Sequence, residues 1–275
     1  MSYRHHEDCV LYAADGADSV QYYSVHDNKI LRKFRHAKNI HGISQNPADD
    51  TFLSSAVGSG TPSVRLWTLQ SAGCLAECKL PANASATTAP LAVFDQSGLV
   101  FGLAAPNATN NNYYLHLYDA RNYTAGAFAE LQVDTAAIGK AVEAATGGAD
   151  ATHMATQPWE SMSFNAAGNQ ILVTGQQGLC LVLDGYEGTV QSALVQAQPT
   201  ATTTAACFSS DDQYVLAGQS DGNIDVWSVS TTPAATLYKT LTGHPQQPVQ
   251  AVAANPVYAQ FASASARETA LWIGD

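Results

Sequence analysis

A short unit returns six times along the 275-residue chain: an apolar run, a tight turn, and a second apolar run that ends on a large side chain. The clearest copy is Gln213 to Trp227, QYVLAGQSDGNIDVW. Tyr214-Val215-Leu216-Ala217 reads as one strand and Asn223-Ile224-Asp225-Val226-Trp227 as the next. Ser220-Asp221-Gly222 between them is a hairpin signal, because Gly takes positive φ without a Cβ penalty and Asp tolerates it. The closing residues of the six units are Tyr23, Trp67, Tyr118, Leu183, Trp227 and Trp272, at separations of 44, 51, 65, 44 and 45 residues. The preceding run also repeats, as FLSSA (52–56), LVFGLA (99–104), ILVTG (171–175), YVLAG (214–218) and FASAS (261–265). A polar turn stands before each of these runs, beginning at Asn46, Asp95, Asn165, Ser209 and Asn255. The pattern predicts an all-β chain of successive antiparallel sheets, with the six closing residues in equivalent third strands.

Units fall at 39–79, 89–133, 157–196, 200–242 and 248–273, after a partial one at 1–38 in which KILRKF (29–34) reads as a third strand. One repeat domain accounts for residues 1–275. Only 134–156 departs from the repeat. It reads as a marginal surface helix or a disordered loop, with Asp134 able to cap it and Gly147-Gly148 to end it. The tip Pro106 to Asn112, with three consecutive asparagines, reads as a hairpin insertion.

Charge narrows the partners. Lys+Arg number 12 against 23 Asp+Glu, a net charge of −11, which disfavours direct nucleic-acid binding and anionic membranes. No run is long and apolar enough to span a bilayer, and MSYRHHEDCVLY lacks the apolar core of a signal peptide. Five cysteines (Cys9, Cys74, Cys78, Cys180, Cys207), mostly in strand-like runs, read as reduced core thiols. Without a secretion signal, the sequons at Asn83, Asn107 and Asn122 read as accidents of an Asn/Thr-rich chain.

A period of about 40–45 residues is that of WD-repeat propeller blades. The Gly-His and Trp-Asp marks survive in pieces, as Gly243-His244 ahead of Trp272, Arg35-His36 ahead of Trp67, and Asp119 and Asp184 after Tyr118 and Leu183. No unit shows the full His, Ser/Thr, Asp and Trp set, so the blades are expected to rely on apolar packing. SVQYYSVHDNKILRKF (19–34), NPADDTFLSS (46–55), FDQSGLVFGLA (94–104), LYDARN (117–122), WESMSFNAAGNQILV (159–173), LDGYEGTV (183–190) and FSSDDQYVLAGQSDGNIDVW (208–227) resemble, in order, one WD-repeat family. It is the WD-repeat subunit of the SET-domain histone H3 lysine-4 methyltransferase complex (COMPASS type). Related members serve RNA polymerase II cleavage, polyadenylation and termination.

The resemblance implies a non-catalytic β-propeller scaffold in the nucleus. Its implied partners are methyltransferase-complex subunits, the phosphorylated RNA polymerase II tail and 3′-end processing factors. It also implies seven blades, so the six units here, with a repeat missing before Ser19, predict an open arc or a strained ring with unpaired, association-prone edges. Two other readings stand beside this one. An adaptor or substrate receptor of another intracellular complex would use the same fold. A propeller enzyme would need convergent His, Asp or Glu side chains in a central channel, and none is recognisable.

No nucleophile motif, phosphate loop, cofactor site or metal set is recognisable. His5-His6-Glu7-Asp8-Cys9 is contiguous, where ligands on a strand must alternate, and reads as a surface terminus. The candidate binding residues are Lys29, Arg32, Lys33, Arg35 and Lys38, five of the chain's twelve cations within ten residues. They read either as charges that protect an exposed edge strand or as an anion site for a phosphorylated peptide.

Overall fold

The polar turn residues act through their side chains. Asn46 Oδ1 accepts the Ala48 N–H, Asp95 Oδ1 that of Val100, and Asn165 Oδ1 that of Gln170. Ser209 Oγ accepts from Tyr214 N–H, and Asn255 Oδ1 from Val257 N–H. Each such bond turns the chain back at the end of a unit's first strand, so the second must pair antiparallel to it. The result, in a computed structural model that describes residues 2–3, 8–58, 61–81, 83–147, 151–195, 202–229 and 235–273, is a series of six antiparallel sheets.

The first sheet holds β1 (Ser2–Tyr3), β2 (Cys9–Tyr12), β3 (Ser19–Ser24) and β4 (Lys29–Arg35). The second holds β5 (Ile40–Gln45), β6 (Thr51–Gly58), β7 (Thr61–Thr68) and β8 (Cys74–Cys78). The third holds β9 (Leu91–Phe94), β10 (Val100–Pro106), β11 (Tyr113–Asp119) and β12 (Ala129–Val133). Helices α1 (Thr135–Thr146) and α2 (Ala151–Ala155) follow. The fourth sheet holds β13 (Trp159–Phe164), β14 (Gln170–Gly175), β15 (Cys180–Asp184) and β16 (Val190–Ala193). The fifth holds β17 (Thr203–Phe208), β18 (Tyr214–Gln219), β19 (Asn223–Ser228) and β20 (Thr236–Thr242). The sixth has three strands, β21 (Ala251–Ala254), β22 (Gln260–Ala264) and β23 (Thr269–Ile273). In every sheet the strands lie side by side in chain order. Two compact units divide them, Met1–Gln132 with the first three sheets and Val133–Asp275 with the helices and the last three.

The six closing residues occupy one register position. Tyr23, Trp67, Tyr118, Leu183, Trp227 and Trp272 lie on third strands opposite Val10, Phe52, Phe101, Ile171, Val215 and Phe261. Three of these cross-strand pairs are stacked rings: Phe52–Trp67, Phe101–Tyr118 and Phe261–Trp272, with centroids 6.2, 5.0 and 5.3 Å apart. Pairing with the fourth strand slips by one residue at Tyr23, Trp67, Leu183 and Trp227, so a bulge marks the same place in four sheets. KILRKF is therefore the fourth strand of its sheet and not the third, because the two-residue β1 supplies the first.

Within each unit the sheets pack face to face. Leu11, Val20 and Phe34 of the first sheet meet Phe52 and Trp67 of the second. Leu53, Val64 and Leu66 meet Phe94, Phe101 and Tyr118 of the third. In the other unit Leu172, Cys180 and Val182 meet Phe208, Val215 and Trp227, and Leu216, Ile224 and Val249 meet Phe261 and Trp272. A core side chain so buried contributes about 1.5–3 kcal/mol, and each sheet gains it only from its neighbours. This stacking covers both faces of a sheet. Asp225, which the alternation predicts on a face unlike that of Ile224 and Val226, is 1% exposed and accepts a hydrogen bond from Thr240 Oγ1 at 2.6 Å.

The full His, Ser/Thr, Asp and Trp set is not seen among the described residues, but two sheets hold a His, Ser and Trp part of it beside the expected apolar packing. Trp67 Nε1 donates to Ser54 Oγ (2.8 Å), and His36 bonds Ser54 through Nδ1 (2.9 Å) and Ser63 through Nε2 (3.0 Å). In the sixth sheet Trp272 Nε1 donates to Ser263 Oγ, which also bonds His244 Nε2, both at 2.8 Å. Each histidine also reaches back. His36 N–H donates to Asp18 O at the hairpin tip of the first sheet, and His244 N–H to Gly222 O at that of the fifth. One residue thus latches two successive sheets. Gly222 is obligatory there: its φ is +94°, and a Cβ would sit 1.6 Å from His244 O.

The 134–156 segment is helical where described. Gly147 ends α1 in the left-handed conformation, its N–H donating to Glu143 O. Asp134 holds the N-cap position without a side-chain capping bond, and its carbonyl accepts from Ala137 and Ile138.

Candidate functional site

The cation-rich segment forms β4 and the turn after it. β4 is the outermost strand of its sheet, so its chemistry is displayed along an edge. The bulge between Tyr22 and Tyr23 leaves Leu31 unpaired and reverses the side-chain alternation there. Lys29 (opposite Ser24), Arg32 (opposite Tyr22) and Phe34 (opposite Val20) therefore share one face, while Lys33 (opposite Gln21) and Arg35 (opposite Ser19) share the other with Ile30.

The five cations accordingly do different things. Arg32 lies on the face that packs against the second sheet, and its guanidinium donates to Leu69 O. Lys29 pairs with Asp27 at 3.3 Å. Asp27 also bonds His26, at 3.1 Å; this contact holds the Asp27 carboxyl below its usual range and raises His26. Lys33, Arg35 and Lys38 are exposed and make no side-chain ion pair among the described residues. Lys33 and Arg35, two apart on one face, stand about 7 Å from each other. Such a pair can grip one anion from two sides, with the arginine fork supplying directional donors. The exposed apolar Val25, Ile30 and Leu31 lie beside it.

The structure thus brings together two of the five candidates, places Lys38 just beyond them, and directs Arg32 and Lys29 elsewhere. His5, His6 and Glu7 lie outside the described residues; Cys9 is buried in β2. No group of three or more His, Cys, Asp or Glu that could hold a metal occurs among the described residues. No helix among them is long and apolar enough to cross a membrane.

One concave feature went unread in the sequence, a cavity of about 860 Å³ lined by Tyr114, His116 and Tyr118 of β11 together with Glu77, Lys79 and Glu130. Its signal was the alternation Tyr114, His116, Tyr118, which puts three rings on one face of a strand.

Comparison with known proteins bears on what such a surface serves. Residues 193–228 match the family model described as "WD domain, G-beta repeat". WD repeat-containing protein 82 of Drosophila melanogaster is 29% identical over 258 residues, covering 93% of this chain and 70% of that protein. COMPASS component SWD2 of Saccharomyces cerevisiae is 25% identical over 269 residues, covering 94% of this chain and 72% of that one. Among solved structures, the β-propeller domain of Cps50 (Swd1) from Myceliophteria thermophila superposes with a TM-score of 0.53 at 15% identity, covering 98% of this chain and 94% of that one. At that identity it bears on the fold alone, which is that of a β-propeller.

Proposed function

From the premise that this is a WD-repeat β-propeller protein homologous to SWD2 and to WD repeat-containing protein 82, we propose that it is a non-catalytic scaffold subunit of a SET-domain histone H3 lysine-4 methyltransferase complex of the COMPASS type, acting in the nucleus. The observation that carries this reading is the extent of the likeness to SWD2, which runs through 94% of the chain and so reaches into all six sheets. A generic repeat match would follow only the alternation of strands and turns. The fold suits the role, since sheets locked face to face hold their connecting turns in fixed positions for several partners at once. Affinity purification of the tagged full-length chain from its own cells, read by mass spectrometry, tests it. A SET-domain methyltransferase should co-purify in stoichiometric amount. Its absence, with another complex recovered in its place, would make the chain an adaptor of that other complex.

The exposed part of the cationic strand supports a narrower role, linking this complex or the 3′-end processing machinery to RNA polymerase II through its phosphorylated tail. Lys33, Arg35 and Lys38 would receive the phosphate, with Lys29 and Arg32 shaping the strand that presents them. Phosphorylated and unmodified heptad-repeat peptides should then differ in affinity, and Lys33→Glu with Arg35→Glu should weaken the phosphorylated one by at least about tenfold and flatten its salt dependence. Equal affinity for the two peptides would reject the phosphate reading and leave the strand's charges as protection of an open edge.

A further inference from the structure

The cavity of about 860 Å³ lies wholly within the Met1–Gln132 unit, between the outer strand of the second sheet and the outer strands of the third. Glu77 and Cys78 of β8 and Lys79 after it form one wall. Tyr114, His116 and Tyr118 of β11 form another, and the turn Tyr123–Ala125 with Glu130 of β12 closes the third side. Its size is that of a site for a side chain with its flanking backbone.

His116 is the ring at the centre of the β11 wall. It is 8% exposed, lines the cavity, and makes no hydrogen bond among the described residues. Its ring nitrogens are not among the fully enclosed unpartnered atoms, in keeping with a ring that opens on the cavity. The neighbouring Tyr118 is already satisfied, its hydroxyl donating to Lys79 O at 2.9 Å. Burial lowers the His116 pKa; the Glu130 carboxylate opposes that shift and the Lys79 ammonium adds to it. The ring is therefore neutral at physiological pH and offers one N–H and one lone pair to the cavity.

The charges around it are unequally engaged. Glu77 and Glu130 face one ammonium, Lys79. Glu77 is held by Arg65 at 3.2 Å, while Glu130 makes no ion pair among the described residues and acts on both His116 and Tyr118. The half-exposed rings of Tyr114 and Tyr123 supply faces that attract cations and cover an aliphatic stem.

We propose that this cavity is a docking site for a basic side chain, lysine or arginine, on an extended segment of a partner protein, with Glu130 receiving the charge and His116 making the orienting hydrogen bond. The site selects a charge opposite to the one the β4 strand would attract, so the two surfaces take different segments. The inference holds whichever complex the chain joins.

Titration of the ¹⁵N-labelled full-length chain with Ac-Gly-Gly-Arg-Gly-Gly-NH₂ tests it, beside the same peptide with citrulline or glutamate in place of arginine. The arginine peptide should shift resonances around Tyr114, His116 and Glu130. Citrulline, nearly isosteric and uncharged, should bind at least about tenfold more weakly. Glu130→Gln, at an exposed position, should cause a similar loss at unchanged melting temperature, and Glu130→Lys a larger one. His116→Gln, which keeps a donor and an acceptor, should bind better than His116→Ala if both fold. The proposal is overturned if citrulline or glutamate peptides bind as well as arginine, if Glu130→Gln has no effect, or if the arginine peptide shifts nothing at millimolar concentration.

Discussion

In the second sheet Trp67 donates its indole N–H to Ser54, and through it joins His36 and Ser63. In the fifth sheet Trp227 stands at the same register position, 6% exposed, and its Nε1 has no partner among the described residues. The difference comes down to one residue. Two places beyond the residue opposite the tryptophan, the second sheet has Ser54, the sixth Ser263 and the fifth Ala217. Apolar packing alone is therefore enough to seat a tryptophan at this position. The polar latch is an addition that ties a sheet to the one before it, at the cost of burying groups that must all stay paired.

The largest effect expected from breaking this contrast is at the latch. His36→Ala removes a ring bonded to two serines and packed edge-on against Trp67, and should destabilise by about 3 kcal/mol. His244→Ala should cost less, since His244 Nδ1 has no partner among the described residues to lose. Denaturant midpoints of the two variants compare them directly. Next come the tryptophans. Trp67→Phe deprives Ser54 Oγ of its indole donor and should cost about 2 kcal/mol, whereas Trp227→Phe discards an unpaired donor and should cost about 1 kcal/mol or less. Equal costs would mean that the hydrogen bond contributes nothing.

Acid separates the sheets in a third way. Burial chiefly, and the Arg65 guanidinium secondarily, push His36 down to about 4 from an ordinary 6.5. As pH falls from 6.5 toward 4 the unfolded chain takes up a proton that the folded chain refuses, so stability drops through that window and levels off below it. His116, also lowered by burial, adds in the same direction. Melting curves of His36→Asn across this range should slope less steeply than wild type. The smallest effect is a repair: Ala217→Ser should give Trp227 its acceptor and stabilise by about 0.5–1.5 kcal/mol.

How much of this was legible depends on how far apart in the chain the cooperating residues stand. The closing residues and the polar turns act within a unit, and both could be read from the sequence. The latch could not: His36 lies 18 residues before Ser54, in the connection between the first two sheets, and serine is too common to signal a role. The cationic strand was found but its faces were not, because a bulge invisible in composition moves Lys29 to the side of Arg32, away from Lys33 and Arg35. The cavity needed two sheets to be set side by side before the three alternating rings of β11 acquired a wall to face.

The sulfur chemistry of the chain follows from the same stacking. Burial raises Cys78 and Cys180 to about 12 and Cys207 to about 11, so these three remain unreactive thiols at neutral pH; Cys9 is enclosed in β2. Cys74 is the exposed one, four residues from Cys78 on the same outer strand. Partial burial raises the Cys74 thiol as well, but as the most exposed of the five it is the preferred attachment point for a maleimide dye on the unaltered chain. It lies on the strand that walls the His116 cavity, where a bound partner would change its fluorescence without any cysteine having to be engineered in or out.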